Sequence, residues 1–388
     1  MRAVKISTST TTAERQGRAL RIAMIGQRGL PATYGGIEHH VAQLGRRLAA
    51  RGHEVTVFCR TNYTPDRDDR HDRIDGIRLR HLPTLGTKHM DALTHSLTST
   101  LAAAGRHDIV HYHALGPGLF APVPRYLTGS RVVQTIHGWD DLRAKWGGLA
   151  QRVLRAGRWM SQRVPNAVIG VSREITDEYG ESATYISNGV ERPPDGISPE
   201  PVLARGLRPG GYVLFVGRLV PEKAVDLLLR TFSQLPDDVQ LAVAGGSAYT
   251  DDYVTGLREL AARDPRIHLL GYVYGDDLAA LYHHAAVYVQ PSHLEGLPLA
   301  LLEAASHGLP LIASGLGCHR EIIATEGPGG RIFRPGDPAG LKEALGHVLA
   351  ERDRERAAAL ARREDTLRRY SWDRATDLTE ELYLRLAR

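Results

Sequence analysis

Residues 212–223 read YVLFVGRLVPEK. The apolar run from Tyr212 into Gly217 reads as a β-strand, closed by glycine. Two cations, Arg218 and Lys223, follow it, with Pro221 between them where a helix is about to start. Ligands of open parallel sheets sit outside the carboxyl ends of the strands, so both cations stand at a ligand-facing edge. A planar guanidinium fork and an ammonium point charge suit a diphosphate. An ordinary pair of surface cations fits this fragment equally well.

Working outward, the same rhythm repeats. Strand-like runs follow at Val239–Ala244, Arg266–Leu270, Val287–Gln290, Leu309–Ala313 and Arg331–Arg334. On the other side, residues 191–211 carry Pro193, Pro194, Pro199, Pro201 and Pro209 and read as a linker. Before it lie Arg21–Gly26, Glu54–Arg60, Ile77–Leu82, Asp108–His113, Arg131–His137, Ala167–Ser172 and Thr184–Ser187. Helix-like patterns separate many of these, as in Glu38–Arg51 with Val41, Leu44 and Leu48 on one face. Residues 357–388 are helix-like, with a break near Tyr370–Trp372. Alternation of this kind predicts an α/β protein built of two Rossmann-like blocks with mostly parallel sheets, facing each other across a cleft. The expected division is a loose tail at 1–18, a first domain at 19–195 and a second at 196–371.

Composition narrows the function. A chain of 388 residues suits two domains. Its two cysteines, Cys59 and Cys318, exclude a disulfide scaffold and a Cys-rich zinc site. No apolar run reaches the roughly 20 residues of a membrane span, and the first 20 residues lack a signal-peptide core. The expectation is a cytoplasmic protein. Residues 1–200 carry 27 Lys+Arg against 19 Asp+Glu, and residues 201–388 carry 22 against 25. A basic first half points to an anionic partner or to an Arg-rich solvated surface. Nucleic acid is not expected, because no zinc finger or aromatic-rich basic strand pattern accompanies the charge. There are 18 histidines, but no H-E-x-x-H and no Cys/His set with zinc spacing. His111 and His113, flanking Tyr112, are read as structural, and no metal site is assigned.

Three further strand ends carry chemistry. The loop 26–38, GQRGLPATYGGIE, places Gly35 and Gly36 before a helix, where backbone N–H groups can approach an anion. It is not the G-x-G-x-x-G dinucleotide fingerprint, and a tight turn would explain the glycines as well. His137 ends the run Gln134–His137 ahead of Gly138. The stretch 295–303, EGLPLALLE, follows the strand Val287–Gln290. A helix starting near Pro298 would leave Glu295 in the loop and Glu303 in the second turn, both facing one ligand with helix N–H groups between them. Sugar hydroxyls would satisfy such carboxylates. The plainer alternative is a helix N-terminal charge and a solvated glutamate.

Taken together, in their order along the chain, these motifs and Ser187-Asn188-Gly189-Val190 resemble the retaining glycosyltransferases of family four, with the two-domain GT-B fold. The resemblance spans about residues 20–388. It implies that 19–195 binds the acceptor, that 196–371 binds a nucleotide-sugar, and that the final helix, 372–388, packs back onto the first domain. It assigns the donor diphosphate to Arg218 and Lys223, and the ribose hydroxyls to Glu303. Glu295 would sit by the donor sugar, with backbone N–H groups of Leu297, Pro298's neighbour Leu299 and Ala300 assisting. Pro298 itself would line the donor site. His137 would contact the sugar near the reacting carbon. Gly35 and Gly36 would approach the donor phosphates, and the base would rest near Val273. Arg218, Lys223, Glu295 and His137 form the expected catalytic set. No cofactor or metal is implied; a UDP-sugar is the favoured co-substrate, with guanosine and thymidine donors open.

Gly29–Glu38 further resembles a subgroup tied to bacterial surface-polysaccharide assembly, including rhamnosyl transfer, so the acceptor hydroxyl is expected on a glycoconjugate, lipid-linked or free. Residues 142–163 are basic and partly amphipathic, a candidate for peripheral contact with the inner face of an anionic membrane or an ordinary half-buried helix. Asp66-Arg67-Asp68 superficially matches a metal-binding D-x-D and is discounted as part of a charged loop. Ala224 stands after Lys223 where the family often has glycine, a change that a helix start should tolerate. The rival classes are a nucleotide-sugar epimerase, a non-catalytic nucleotide-sugar-binding protein and a nicotinamide-dependent oxidoreductase.

Overall fold

The computed structural model describes residues 18–32, 35–63, 71–85, 90–139, 148–236, 238–247 and 250–388. The tail before Arg18, the Asp66–Asp68 triplet and residues 142–147 of the basic stretch lie outside them.

The first sheet contains β1 (Arg21–Ile25), β2 (Glu54–Arg60), β3 (Arg73–Ile74), β4 (Ile77–Leu82), β5 (Ile109–His113), β6 (Arg131–Ile136), β7 (Ala167–Gly170) and β8 (Ala183–Tyr185). Its order is β3-β4-β2-β1-β5-β6-β7-β8, and only the β3–β4 pair is antiparallel. The second contains β9 (Tyr212–Val216), β10 (Gln240–Ala244), β11 (Ile267–Gly271), β12 (Val287–Gln290), β13 (Leu311–Ser314) and β14 (Gly330–Phe333). It is parallel throughout, in the order β11-β10-β9-β12-β13-β14. Each strand-like run of the sequence falls on one of these strands; the two-residue β3 left no pattern to read.

β1 lies mid-sheet, with Ile22 opposite Val55 on one side and Ile109 on the other. Its residues from Ile22 to Ile25 are buried because helices cover both faces. The helix Gly36–Ala50 buries Val41, Leu44 and Leu48 against this sheet. Each such side chain contributes about 1.5–3 kcal/mol.

The chain crosses between the sheets twice, and the crossings lie side by side: the Val190 N–H donates to the Tyr370 carbonyl at 2.8 Å. After the second crossing, Ser371 caps the helix Trp372–Leu386 by accepting from the Asp373 and Arg374 N–H groups. That helix buries Trp372, Ala375, Leu382 and Tyr383 in the core of the first sheet. The break between helices at Ser371 thus lets the last segment change sheets. Among the described residues no helix is long and apolar enough to cross a membrane.

Candidate active site

The carboxyl ends of the two sheets meet. Gly296, in the loop after β12, touches the end of β6 so closely that an added Cβ would stand 1.9 Å from the His137 carbonyl oxygen. Only glycine allows that approach. Two helix N-termini converge on the same place. Gly36 opens the helix Gly36–Ala50, and a Cβ on it would lie 3.4 Å from Leu299 Cδ1, the first residue of the helix Leu299–Ser306. Neither N-terminus carries a side-chain cap. First-turn N–H groups and two positive dipole ends face one cleft, a setting for an anion.

Gly35 has φ +99, and Glu38 folds back beneath it to accept from the Arg28 N–H at 2.9 Å. Asn188 ties the halves together: its Nδ2 donates to the Leu297 carbonyl at 3.2 Å, and its Oδ1 is 2.9 Å from His40 Nδ1.

On the second sheet, Arg218 stands half-buried just beyond β9. Lys223 ends a single 3-10 turn, Pro221–Lys223, and its ammonium is 2.5 Å from Glu295 Oε1. That oxygen also accepts from Ser292 Oγ at 2.7 Å and Gln290 Nε2 at 2.8 Å. Burial works to raise the Glu295 carboxyl, but the Lys223 charge, His319 and the Lys223 and Ser292 hydrogen bonds outweigh it, and the net shift is downward. Glu295 is therefore a largely buried, paired carboxylate, not a solvated helix charge.

Ala224 corrects the expectation of a tolerant helix start. The helix begins only at Val225, and Ala224 links it to the turn in the left-handed region, φ 49 and ψ 42. Glycine adopts that conformation freely, whereas alanine pays about 1–2 kcal/mol.

Glu303 lies in the second turn of Leu299–Ser306 and accepts from the Tyr282 hydroxyl at 3.0 Å. Burial pushes its carboxyl up to about 7, against the Tyr282 hydrogen bond. Leu297 is buried, Pro298 supplies the extended residue before the helix, and Ala300 follows Leu299 in its first turn. Val273 is buried in the loop after β11, flanked by Tyr272 and Tyr274, which are partly exposed and stacked at 6.0 Å.

Some of the site was not readable from sequence. His40, His113 and His137 come from a helix and two strand ends, and one ring nitrogen of each lies within 4.8 Å of the other two. Ser292, Gln290 and Tyr282 hold the two glutamates, and only their position near strand β12 or opposite Glu303 could have hinted at it. Of the basic stretch, the described helix Gly148–Ser161 shows Trp159 more than half exposed under Arg163, at 4.6 Å.

Comparison with known proteins matches residues 34–192 to the family described as Glycosyltransferase Family 4, and residues 210–351 to Glycosyl transferases group 1. A glycogen synthase of Mycobacterium tuberculosis is 28% identical over 94% of this chain and 94% of its own. A sucrose-phosphate synthase of Thermosynechococcus elongatus superposes with a TM-score of 0.79 at 22% identity, covering 95% of this chain and 99% of the other. The Anabaena protein HepE, solved in complex with UDP-glucose, gives 0.76 at 18% identity over 94% and 99%. At these identities the superpositions speak for the GT-B fold.

Proposed function

The chain belongs to the family-four glycosyltransferases, and on that footing we propose that it moves a hexosyl group, with retention at the anomeric carbon, from a nucleoside-diphosphate sugar to an acceptor hydroxyl of a surface polysaccharide or glycoconjugate. The observation that carries the reading is the convergence of two uncapped helix N-termini beside the paired Lys223 and Glu295. Residues 196–371 hold the donor and 19–195 the acceptor.

The proposed mechanism follows from charge. When the anomeric C–O bond breaks, the electron pair stays on the leaving phosphate oxygen. Arg218, Lys223 and the N–H groups of Leu299 and Ala300 stabilise that charge, with Gly35 and Gly36 approaching from the other side. Lys223 has three donors, so it can keep Glu295 and still bind phosphate. Glu295 accepts from hydroxyls of the donor sugar, His137 contacts the sugar near the reacting carbon, Glu303 takes the ribose hydroxyls, and the base rests beside Val273. The acceptor oxygen attacks from the face that the diphosphate leaves, and its proton passes to the departing phosphate oxygen. No step calls for a metal. A UDP-sugar is the first donor to try.

The test is a thermal-shift panel of uridine, guanosine and thymidine diphosphates and their sugars with EDTA, alongside Arg218→Ala. A ligand at about 100 times its Kd stabilises the fold by ~2.7 kcal/mol. A shift with one base, lost in the variant, supports the reading, and the anomeric configuration of the product by NMR then tests retention. No shift with any nucleotide defeats it.

A further inference from the structure

The three histidines at the cleft have an arrangement that sugar contact by His137 does not require. His113 Nδ1 is 3.1 Å from His137 Nε2, and the His40 ring lies edge-on to the His137 ring at 4.7 Å and to the His113 ring at 5.5 Å. The hydrogen bonds fix one tautomer. Asn188 Nδ2 donates to the Leu297 carbonyl, so Asn188 Oδ1 must be the atom facing His40. An amide oxygen only accepts, so the proton of His40 sits on Nδ1. Nε2 of His40 is then a bare lone pair, buried and without a partner. Burial pushes His40 down to about 4 and holds His113 and His137 well below the ordinary histidine range.

We infer that His40, His113 and His137 together form a three-imidazole site for a zinc-class divalent ion, whose occupation draws the His137 ring away from the donor sugar. Zinc–nitrogen bonds of about 2.1 Å put tetrahedral ligand atoms ~3.4 Å apart. The His113–His137 pair already stands near that spacing, the proton it shares moving to the far nitrogen of the donor ring on binding, and the 4.8 Å limit on the set leaves a closure of about 1.4 Å for ring rotation to supply. Imidazole ligands select zinc, copper or nickel over magnesium and calcium. The Asn188–His40 hydrogen bond is the outer support that metal-bound histidines commonly have. The fourth position falls to water or an anion. The site itself is independent of the proposed function; its antagonism of the donor rests on that reading.

The experiment uses the full chain, stripped with chelator and titrated with Co²⁺ as a visible probe, followed by displacement with Zn²⁺. The expected result is one equivalent bound with a tetrahedral-type d–d spectrum, weakened at least about tenfold in His40→Gln and in His113→Gln. Absence of that spectrum, or binding in both variants as tight as in the wild type, overturns the site. X-ray absorption on the zinc-loaded wild-type chain needs no variant: three imidazoles are expected, and fewer overturn the proposal. Zinc should also weaken the thermal shift caused by the nucleotide-sugar. If metal binds and the donor shift is undiminished, the antagonism is wrong. If metal binds and no nucleotide-sugar ever binds, the fault lies with the proposed function and the site stands.

Discussion

Lys223 and Glu295, 72 residues apart, pair at 2.5 Å through a carboxylate oxygen that also takes the Ser292 and Gln290 donors. The pair couples the loop after β9 to the loop after β12. Both side chains are little exposed, at 15% and 10%. Removing one member leaves the other buried and uncompensated, at a cost of about 3–5 kcal/mol. Lys223→Ala should therefore lower the melting temperature and cut transfer by about 10²–10³. The double variant Lys223→Met with Glu295→Gln should recover much of the stability and none of the rate. Melting curves and initial rates on the two variants check this; near-normal transfer by Lys223→Ala would remove Lys223 from the diphosphate.

Ala224 gives a purely structural test. Relief of its left-handed strain is worth about 1–2 kcal/mol, and glycine's extra unfolded-state entropy returns about 0.5–1 of that. Ala224→Gly should leave the protein as stable or up to about 1.5 kcal/mol more stable in urea unfolding. A loss beyond about 1 kcal/mol would mean that packing of the buried methyl outweighs the strain.

Strands were legible because β-branched runs ended in Gly, Pro or Asn, and a buried parallel strand leaves that mark at any register. The second crossing was legible as a break at Tyr370–Trp372. The partnerships were not. Lys223 and Glu295 each read as a ligand contact, and only the adjacency of β9 and β12 makes them partners. His40 reads as one more helical residue until the helix Gly36–Ala50 is laid over the ends of β5 and β6. Ala224 looked harmless because its cost lies in φ and ψ, which composition does not reveal.

Gly296 tests whether the closed cleft is the working state. A Cβ 1.9 Å from the His137 carbonyl oxygen cannot be accommodated without parting the two loops. A displacement of about 1 Å at a reacting site costs about 10²-fold in rate. Gly296→Ala should lose that much transfer while its circular dichroism stays that of the wild type. Full activity would show that the two sheets react in a more open arrangement.

Glu303 should make donor binding depend on pH near neutrality. Its carboxyl titrates at about 7 in the folded chain because burial disfavours the charge. Ribose hydroxyls donate best to a carboxylate, so nucleotide affinity should rise as pH climbs through 7 and level off above it. Stability runs the other way. The folded value lies above the unfolded value of 4.5, so the native state holds the extra proton and loses this contribution as pH rises from 4.5 through about 7. Glu303→Gln removes the titration. At pH 8 the ligand-free variant should melt higher than the wild type, bind nucleotide more weakly, and show affinity flat between pH 6 and 8. Calorimetric titrations at several pH values, paired with melting curves, read both effects. A variant that melts higher yet binds nucleotide with the wild-type pH profile would separate the buried carboxyl from the ribose.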